Sequence, residues 1–297
     1  MTDSNPRVPY RLASERPAYA SPEGGALIVH VVVNVEVWDF NSPMPRAVLS
    51  APQGRESVPD IPNFSWAEYG LRCGMPRILN ALTTRGLRAT CAINAKAMEI
   101  YPTLVDHVIG EHWELIGHGY QQRPLSAEPD EAEIIRVSLD ALRHYSGQEV
   151  IGWLGPGLRE TSETPDLLRA HGIEYVCDWV LDDLPSWMHT SAGPMIAMPY
   201  TLELNDSILY AMQNHEAVEF ERRVRDTLGV FAREVQDQAR IMTLAVHPHL
   251  MGVPHRIGYF ENVLDMLLDH EDVVFMTGAQ IASWFREVSA AEREEVR

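Results

Sequence analysis

Short apolar runs that end in polar residues recur along this chain. Residues 27–33 lead into Asn34-Val35-Glu36, and the most regular run, 241–246, ends at His247. When helices separate such runs, the runs become parallel strands whose carboxyl ends share one rim. The pattern therefore predicts one site assembled from residues that lie about 210 positions apart in the chain.

The spacing of apolar and polar positions predicts seven or eight βα units. The predicted strands are 26–35, 87–93, 113–117, 150–154, 173–177, 194–199, 240–246 and 272–276. The predicted helices run from a capping box at Ser65 to Thr84, over 102–111 and 130–145, from Thr164 to Gly172, and over 216–237, 257–269 and 278–287. This alternation is typical of α/β proteins, and the number of units favours a single (β/α) barrel over an open doubly wound sheet. No GxGxxG follows the first strand, which argues against nucleotide binding.

The chain divides into three parts by composition. Residues 1–25 are polar and are expected to form an N-terminal arm, 26–287 form the barrel, and 288–297 are a charged tail. The segment 40–64 carries five prolines and cannot be a long helix. A loop of this length in a compact domain is usually functional or part of an interface.

Composition narrows the function classes. With 297 residues, of which 45% are hydrophobic, the chain can bury a large core. Its formal net charge of −18 repels phosphate backbones and anionic lipids, so we expect neither a nucleic-acid nor a membrane partner. Cys73, Cys91 and Cys177 lie far apart, and no secretory signal precedes the first strand. We therefore expect reduced thiols and a cytoplasmic location.

Three residues at strand ends are the candidate catalytic groups. Glu36 follows the first strand beside Trp38, where partial burial would raise its pKa toward that of a useful general acid or base. His118 lies between two glycines, which let a ligand approach the backbone closely. His247 follows the seventh strand, and a near-neutral pKa makes histidine a natural proton donor to a leaving group. His249 is the alternative to His247, and the sequence leaves open which of the two faces the cavity.

Other segments at the same rim supply candidate substrate-binding groups. The turn Gly155-Pro156-Gly157 can offer backbone N–H groups to a developing oxyanion. Amide, acidic and aromatic side chains at the remaining strand ends can shape a pocket and accept substrate N–H groups. The candidate substrate-binding residues are Asn34, Trp38, Trp153, Gly155, Pro156, Gly157, Asp178, Trp179, Glu203 and Asn205.

These segments, in this order, resemble the polysaccharide deacetylase superfamily, which has the NodB homology fold, and most closely its allantoinase-like branch of urate catabolism. The segments that carry the resemblance are Val33-Asn34-Val35-Glu36, Trp113-Glu114-Leu115-Ile116-Gly117-His118-Gly119, Gly152-Trp153-Leu154-Gly155-Pro156-Gly157, Val176-Cys177-Asp178-Trp179, Leu202-Glu203-Leu204-Asn205-Asp206 and Ala245-Val246-His247-Pro248. They span about residues 26–285. The resemblance implies a distorted (β/α) barrel of the polysaccharide-deacetylase type that hydrolyses a C–N bond in an amide, acetamide or cyclic ureide.

The chain departs from the metal site that this resemblance implies. The family holds a divalent metal with an aspartate and an H-x-x-x-H pair, and the matching positions here are Glu36, His118 and Gln122. Glutamine is a poor zinc ligand. Asn34 stands where the family has its general-base aspartate, and the family's arginine near the fourth strand is missing from 153–157. Allantoinase-like members also depart from the full metal triad.

The residues and the resemblance together favour a hydrolase of C–N bonds other than peptide bonds, acting on a small cyclic amide or ureide. Glu36 would position or deprotonate the water, His118 would hold the water or the carbonyl, and His247 would protonate the departing nitrogen. This acid–base mechanism requires no cofactor. Zinc or another divalent metal, where one is bound, would lie at Glu36 and His118.

Two alternatives stay open. One is a metal-dependent N-deacetylase of an amino sugar or polysaccharide, with a role in carbohydrate metabolism. The other is a non-catalytic binding protein on a degenerate scaffold, although Glu36, His118 and His247 all persist. The expected partner is a small-molecule substrate. The resemblance also suggests a homo-oligomer such as a tetramer, with the arm and the 40–64 loop as candidate interface segments.

Overall fold

Nine strands form one curled sheet in the computed structural model, which describes residues 4–51, 54–55 and 57–296. They are β1 (Leu27–Val35), β2 (Thr90–Ile93), β3 (Glu114–Gly117), β4 (Gly152–Trp153), β5 (Tyr175–Val176), β6 (Ser186–Met188), β7 (Met195–Ala197), β8 (Arg240–Val246) and β9 (Val273–Phe275). Their order is β6-β7-β5-β4-β3-β2-β1-β8, and β9 pairs with the start of β1. Only β6 and β7, among the described strand pairs, are antiparallel. The expected α/β class and (β/α) barrel are confirmed.

The first strand is the centre of the sheet because it is apolar along almost its whole length. Every residue of β1 is buried. One edge pairs with β8 from Leu27 to Val33, while the other edge pairs with β9 at its start and with β2 from Val32 to Val35. A strand buried on both faces appears in sequence as a continuous apolar run. The sequence therefore predicted this strand to within one residue at either end.

Irregular segments close the barrel on the far side of β8. The N–H of Ile241 donates to the carbonyl of Asp183, and the N–H of Ala245 donates to that of Leu204. Asn205 forms an isolated bridge with Ala245. This closure makes the barrel distorted, and it places the segment 204–206 beside the carboxyl end of β8.

Helices cover the outside of the sheet. They are α1 (Ile61–Tyr69), α2 (Met75–Thr83), α3 (Ala97–Ile100), α4 (Pro102–Gly110), α5 (Glu131–Ser146), α6 (Thr164–Ala170), α7 (Glu219–Glu234), α8 (Pro254–Leu268), α9 (Gly278–Val288) and α10 (Ala290–Glu295). A π-helical turn, Gly70–Gly74, joins α1 to α2, and a second one covers Ser207–Met212. No helix in the described part of the chain is long and apolar enough to cross a membrane.

The predicted capping box at Ser65 is wrong. Helix α1 begins at Ile61 because the Asp60 side chain accepts the Asn63 N–H and Pro62 fits the first turn. The short strand β6 was missed because three residues are too few to show a period. The charged tail forms helix α10 as far as it is described, and Arg297 lies outside the described residues.

The N-terminal arm lies along its own barrel from Ser4 onward, and residues 1–3 lie outside the described part of the chain. Arg7 pairs with Asp166 of α6 at 2.6 Å. The Tyr19 ring packs edge-on against Phe285 of α9, with the ring centroids 5.7 Å apart. The arm thus covers apolar surface of this chain itself.

Candidate active site

The carboxyl ends of β1, β3 and β8 bring the three predicted catalytic residues into one buried cluster. Glu36 follows β1, His118 follows β3 and His247 follows β8, and each of the three side chains is almost fully buried. His247 Nε2 lies 3.6 Å from Glu36 Oε1. The convergence predicted from the strand ends therefore exists in the structure.

Asp206 fixes the orientation of His247. Its Oδ1 accepts the Nδ1–H of His247 at 2.6 Å, and its Oδ2 accepts the backbone N–H of the same residue at 2.8 Å. Burial by itself would lower the pKa of His247, but the carboxylates of Asp206 and Glu36 raise it to about 9. His247 is consequently a protonated imidazole at neutral pH, with Nε2–H directed toward Glu36.

Glu36 is the ionised partner of this imidazole. Burial opposes its ionisation, yet the charge of His247, assisted by Arg46, holds the pKa of Glu36 well below its usual range. The partial burial considered from the sequence was expected to raise this pKa, and that expectation is wrong because a cation lies within contact distance. Glu36 Oε1 also accepts the Nε2–H of Gln122 at 2.9 Å.

His118 has the opposite protonation state. Its Nδ1 lies 2.6 Å from the carbonyl oxygen of Leu154, so Nδ1 carries the proton and Nε2 carries the lone pair. Burial lowers the pKa of His118, and the nearby charge of Glu36 offsets this only in part. The site thus contains one charged and one neutral imidazole, set apart by their hydrogen-bond partners.

Three acceptor atoms in this cluster are buried and lack a hydrogen-bond partner among the described residues: Glu36 Oε2, His118 Nε2 and Gln122 Oε1. Buried polar atoms are normally paired, and unpaired acceptors in an active site mark a place for a ligand or water. They also occupy the three positions that match the family's metal ligands. However, no group of three His, Cys, Asp or Glu side chains in the described chain is placed to hold a metal ion. The donor set does not fit a standard zinc site, because its third member is a neutral amide.

His249 also lies beside this cluster. The sequence left open which of His247 and His249 faces the cavity, and in the structure both rings lie in this region. The His249 ring lies 5.8 Å from that of His247, and Trp66 of α1 packs edge-on against it at 4.8 Å. Burial lowers the pKa of His249 to about 3. His249 is therefore neutral, and His247 is the imidazole that can donate a proton.

The loop between β1 and α1 covers the cluster. Arg46 reaches from this loop to His249 Nε2 at 3.2 Å and to Ser207 Oγ at 2.7 Å. The cavity beside Glu36 and Trp38 is only about 10 Å³, which is room for about one water molecule. Larger cavities of about 350 and 390 Å³ lie against the arm and are lined by none of the three catalytic candidates. The buried acid–base cluster, and not the largest cavity, is therefore the candidate site.

The structure does not bring every predicted pocket residue to this cluster. The N–H of Gly155 donates to both carboxylate oxygens of Asp178, at 2.8 and 3.0 Å, so it is not free to bind an oxyanion. Burial and the neighbouring Glu160 raise the pKa of Asp178 well above its usual range. Asp178 is thus occupied as a backbone acceptor, which corrects the substrate-binding roles expected for these two residues.

Five more predicted pocket residues have other surroundings. The Trp179 indole N–H donates to Glu160. Glu203 and Gly157 are exposed. Trp153 is fully buried under Gly117, where an added Cβ would lie 2.3 Å from the indole. Pro156 packs near Gly119. No hydrogen bond or ion pair among the described residues joins any of them to Glu36 or His247.

Asn34 and Asn205 do belong to the buried site. Both amides donate to the hydroxyl of Tyr200, at 3.2 and 3.4 Å, and the amide of Asn34 also donates to the carbonyl of Val246. Neither can take up a proton in catalysis. Their hydrogen bonds tie the ends of β1 and β8 to the segment that carries Asp206.

Sequence reasoning missed Asp206, Arg46 and Tyr200. Asp206 was visible as the last residue of Leu202-Glu203-Leu204-Asn205-Asp206, but this segment supplied three polar groups and no local signal to choose among them. Arg46 lies in a proline-rich loop without any period. Tyr200 has no feature in the sequence that separates it from other buried tyrosines.

A curled, mostly parallel sheet with a buried acid–base cluster at its carboxyl rim is the arrangement in which the class of (β/α)-barrel enzymes carries its active sites. Within that class, the family model described as polysaccharide deacetylase matches residues 65–176 of this chain. This part of the chain is therefore similar to polysaccharide deacetylases. Members of this family hydrolyse carbon–nitrogen bonds other than peptide bonds.

Named relatives agree with this assignment. A Schizosaccharomyces pombe protein provisionally named a polysaccharide deacetylase is 26% identical over 235 residues, which cover 72% of this chain and 73% of the relative. A peptidoglycan deacetylase of Helicobacter pylori is 20% identical over 266 residues, which cover 78% of this chain and 89% of the relative.

Solved structures share the fold over nearly the whole chain. An allantoinase crystal structure superposes with a TM-score of 0.83 at 23% identity, covering 92% of this chain and 95% of that one. A Pseudomonas aeruginosa structure, provisionally assigned as a polysaccharide deacetylase, superposes with a TM-score of 0.81 at 24% identity and the same coverage. The deacetylase-type barrel is therefore the fold of this chain.

Proposed function

We propose that this protein hydrolyses a non-peptide C–N bond in a small amide by acid–base catalysis. The observation that carries the proposal is the buried relay from Asp206 through His247 to Glu36, next to the unpaired Nε2 of His118. The cluster contains a proton donor, His247, and two proton acceptors, ionised Glu36 and neutral His118. Amide hydrolysis requires both a donor and an acceptor.

The proton donor is His247. Protonation of the nitrogen makes it a better leaving group, and Asp206 keeps the imidazole both charged and oriented for this transfer. The role resembles that of an aspartate that holds a catalytic histidine in one tautomer.

Glu36 and His118 receive the attacking water. Glu36 Oε2 and His118 Nε2 are both unpaired acceptors, so each can accept a hydrogen bond from the water. As the proton on His247 Nε2 passes to the departing nitrogen, Glu36 loses the neighbouring cation that holds its pKa low. Glu36 then takes one proton from the water whose oxygen bonds to the carbonyl carbon. Glu36 can then return its proton to His247 across the 3.6 Å contact, which restores the starting state.

The loop over the site favours a small substrate. A cyclic amide or ureide is the first candidate. The loop that carries Arg46 lies over the rim, which favours a compact substrate over a long polymer chain. The allantoinase among the structural relatives acts, by its name, on such a ureide.

An N-deacetylase of an amino sugar or polysaccharide is the second candidate, and the names of the curated relatives favour it. Its chemistry is the same hydrolysis of an amide C–N bond. It differs in the size of the substrate and in its dependence on a divalent metal.

A substrate panel tests both candidates. We expect hydrolysis of a ureide, imide or lactam by the wild-type protein, and losses in kcat of about 100-fold or more for Glu36→Gln and His247→Gln. Asp265→Asn, which removes an exposed carboxylate on α8, is the matched control and should keep full activity. Full turnover in both site variants would contradict the proposed mechanism.

The same panel includes N-acetylglucosamine and its oligomers, assayed with zinc and with a chelator. Hydrolysis of these sugars alone, with loss of activity in chelator and recovery with zinc, would favour the second candidate. Failure to hydrolyse any ureide, imide, lactam or acetylated sugar would favour a binding protein.

A further inference from the structure

Arg46 is a cation at the site, and it has no carboxylate partner in the described part of the chain. Its two nitrogens contact His249 Nε2 and Ser207 Oγ, at 3.2 and 2.7 Å. Among the described residues, no Asp or Glu oxygen lies within ion-pair distance of its guanidinium, whereas twelve other arginines of the described chain pair with a carboxylate. The arginine in the site is thus left with neutral partners.

Neither of these partners carries a negative charge that would compete with an anionic ligand. Ser207 offers a neutral hydroxyl, and His249 is a buried neutral imidazole. A guanidinium has five N–H donors in a planar fork that matches a carboxylate or phosphate. Replacing two neutral acceptors with one carboxylate would give shorter, charge-assisted hydrogen bonds.

The loop that carries Arg46 is fixed, so the guanidinium is held in place before a ligand arrives. Asn63 of α1 accepts the N–H groups of Val48 and Leu49, at 2.9 and 3.0 Å, and donates to the carbonyl of Leu49 at 2.9 Å. This amide is only 2% exposed. Preorganised recognition groups cost less entropy when a ligand binds.

Arg46 also lies on the catalytic side of the loop. His249, which it contacts, packs edge-on against His247 with ring centroids 5.8 Å apart. A substrate whose amide lies at Glu36 and His247 therefore extends toward Arg46 on this side. In a chain with a formal net charge of −18, a cation here is a local site for an anion.

We propose that Arg46 is a specificity-determining residue that binds a carboxylate carried by the substrate beside the amide to be hydrolysed. This inference rests on the proposed function and narrows its substrate class to amides or ureides that bear an anionic group.

Binding measurements on matched pairs of compounds test the proposal. The first pair is hydantoin-5-acetate and hydantoin, and the second is N-acetylglycinate and N-acetylglycinamide. Calorimetric titrations use the full-length protein carrying Glu36→Gln, so that no compound is turned over. We expect the anionic member of at least one pair to bind about tenfold tighter or more than its neutral partner.

Arg46→Gln should abolish this preference, and Arg46→Lys should keep part of it because a lysine supplies the charge without the fork. Arg55→Gln, at an exposed position of the same loop, is the matched control and should leave the preference unchanged. Circular dichroism and the thermal midpoint check that each variant folds.

The proposal is overturned when neither pair shows a preference that depends on Arg46, whether because affinities are equal or because neither member binds. Since binding is measured without turnover, the result is separate from the proposed function. A preference that disappears in Arg46→Gln supports the role of Arg46 even where wild-type protein hydrolyses none of the four compounds.

Discussion

At the scale of the single residue, His247 and His118 lie in the same site but differ in charge. The difference arises because their Nδ1 atoms have different hydrogen-bond partners. His247 donates to a carboxylate, which favours the imidazolium, while His118 donates to the carbonyl of Leu154, which does so far less. Both are buried, so burial alone cannot separate them. Asp206 therefore makes His247 the proton donor, whereas His118, which lacks such a carboxylate partner, is the acceptor.

Asp206→Asn tests this division. Loss of the carboxylate should lower the pKa of His247 from about 9 by about one unit or more, because the imidazolium loses its closest negative charge. Histidine side-chain NMR measures this titration directly, and the alkaline limb of any activity profile should move to lower pH with it.

Asp265→Asn serves again as the control, since its carboxylate pairs with Arg85 away from the site. An unchanged titration of His247 in Asp206→Asn would mean that Glu36 alone holds the proton, and the assigned role of Asp206 would then be wrong.

At the scale of the element, the π-helical turn between α1 and α2 positions the segment after β8. A Cβ added at Gly70 would lie 2.3 Å from the backbone nitrogen of His249, and one at Gly74 would lie 2.0 Å from the carbonyl oxygen of Pro248. Glycines at these two positions let the helix and the histidine segment touch through their backbones. The packing of one element thus sets the place of the imidazoles.

Gly70→Ala should therefore destabilise the fold, by about 1–3 kcal/mol, because the added methyl group meets backbone that cannot rotate away. Gly229→Ala is the matched control in α7, where nothing lies within 4 Å of an added Cβ. Alanine there should stabilise the protein by about 0.5–1 kcal/mol through its helix propensity.

Urea unfolding measures both free energies of unfolding. Equal stabilities for Gly70→Ala and the wild type would show that the contact between α1, the π turn and the histidine segment is looser than described.

At the scale of the whole molecule, a second buried polar network joins four strands and a helix away from the active site. His30 of β1 contacts Thr90 Oγ1 at 2.9 Å, Thr90 donates to Glu114 at 2.9 Å, and Tyr175 donates to Glu114 at 2.6 Å. The N–H of Gly278, at the start of α9, donates to Thr90. The barrel therefore has polar groups near both ends and an apolar core between them.

The buried state of His30 predicts a loss of stability in acid. Burial lowers the pKa of His30 to about 3, whereas the unfolded chain binds a proton near the ordinary value of 6.5. Between these values the unfolded state holds more protons, so its free energy falls relative to the folded state as the pH falls. Stability should therefore decrease from pH 6.5 toward pH 3.

His30→Gln isolates this contribution. Between about pH 7 and pH 4, the wild type should lose on the order of 3 kcal/mol more of its unfolding free energy than His30→Gln loses. Urea unfolding at both pH values provides the comparison. Parallel losses in the two proteins would show that His30 does not stay neutral in the fold.

A homo-oligomer stays a prediction at this scale. The arm covers its own barrel, and the loop 40–64 exposes Val48, Leu49 and Ile61, each at least half exposed to solvent. Light scattering of the purified protein decides between a single chain and a tetramer.

The sequence by itself determined the strands and the chemical groups at their ends. Long apolar runs specify buried parallel strands, and a residue directly after such a run must lie at the rim, so Glu36, His118 and His247 could be placed together before any coordinates. The same reasoning failed for Gly155 and Asp178, because which polar groups pair with each other depends on distances and not on position along a strand.

Only the tertiary structure decided the partners that set the chemistry. Asp206 lies 41 positions before His247 and Arg46 lies 203 before His249, in segments without a regular period. Their places follow from how the irregular edge of the barrel closes and how the loop folds over the rim. A pKa depends on charges within a few ångströms, so protonation states followed from that closure and not from the chain order.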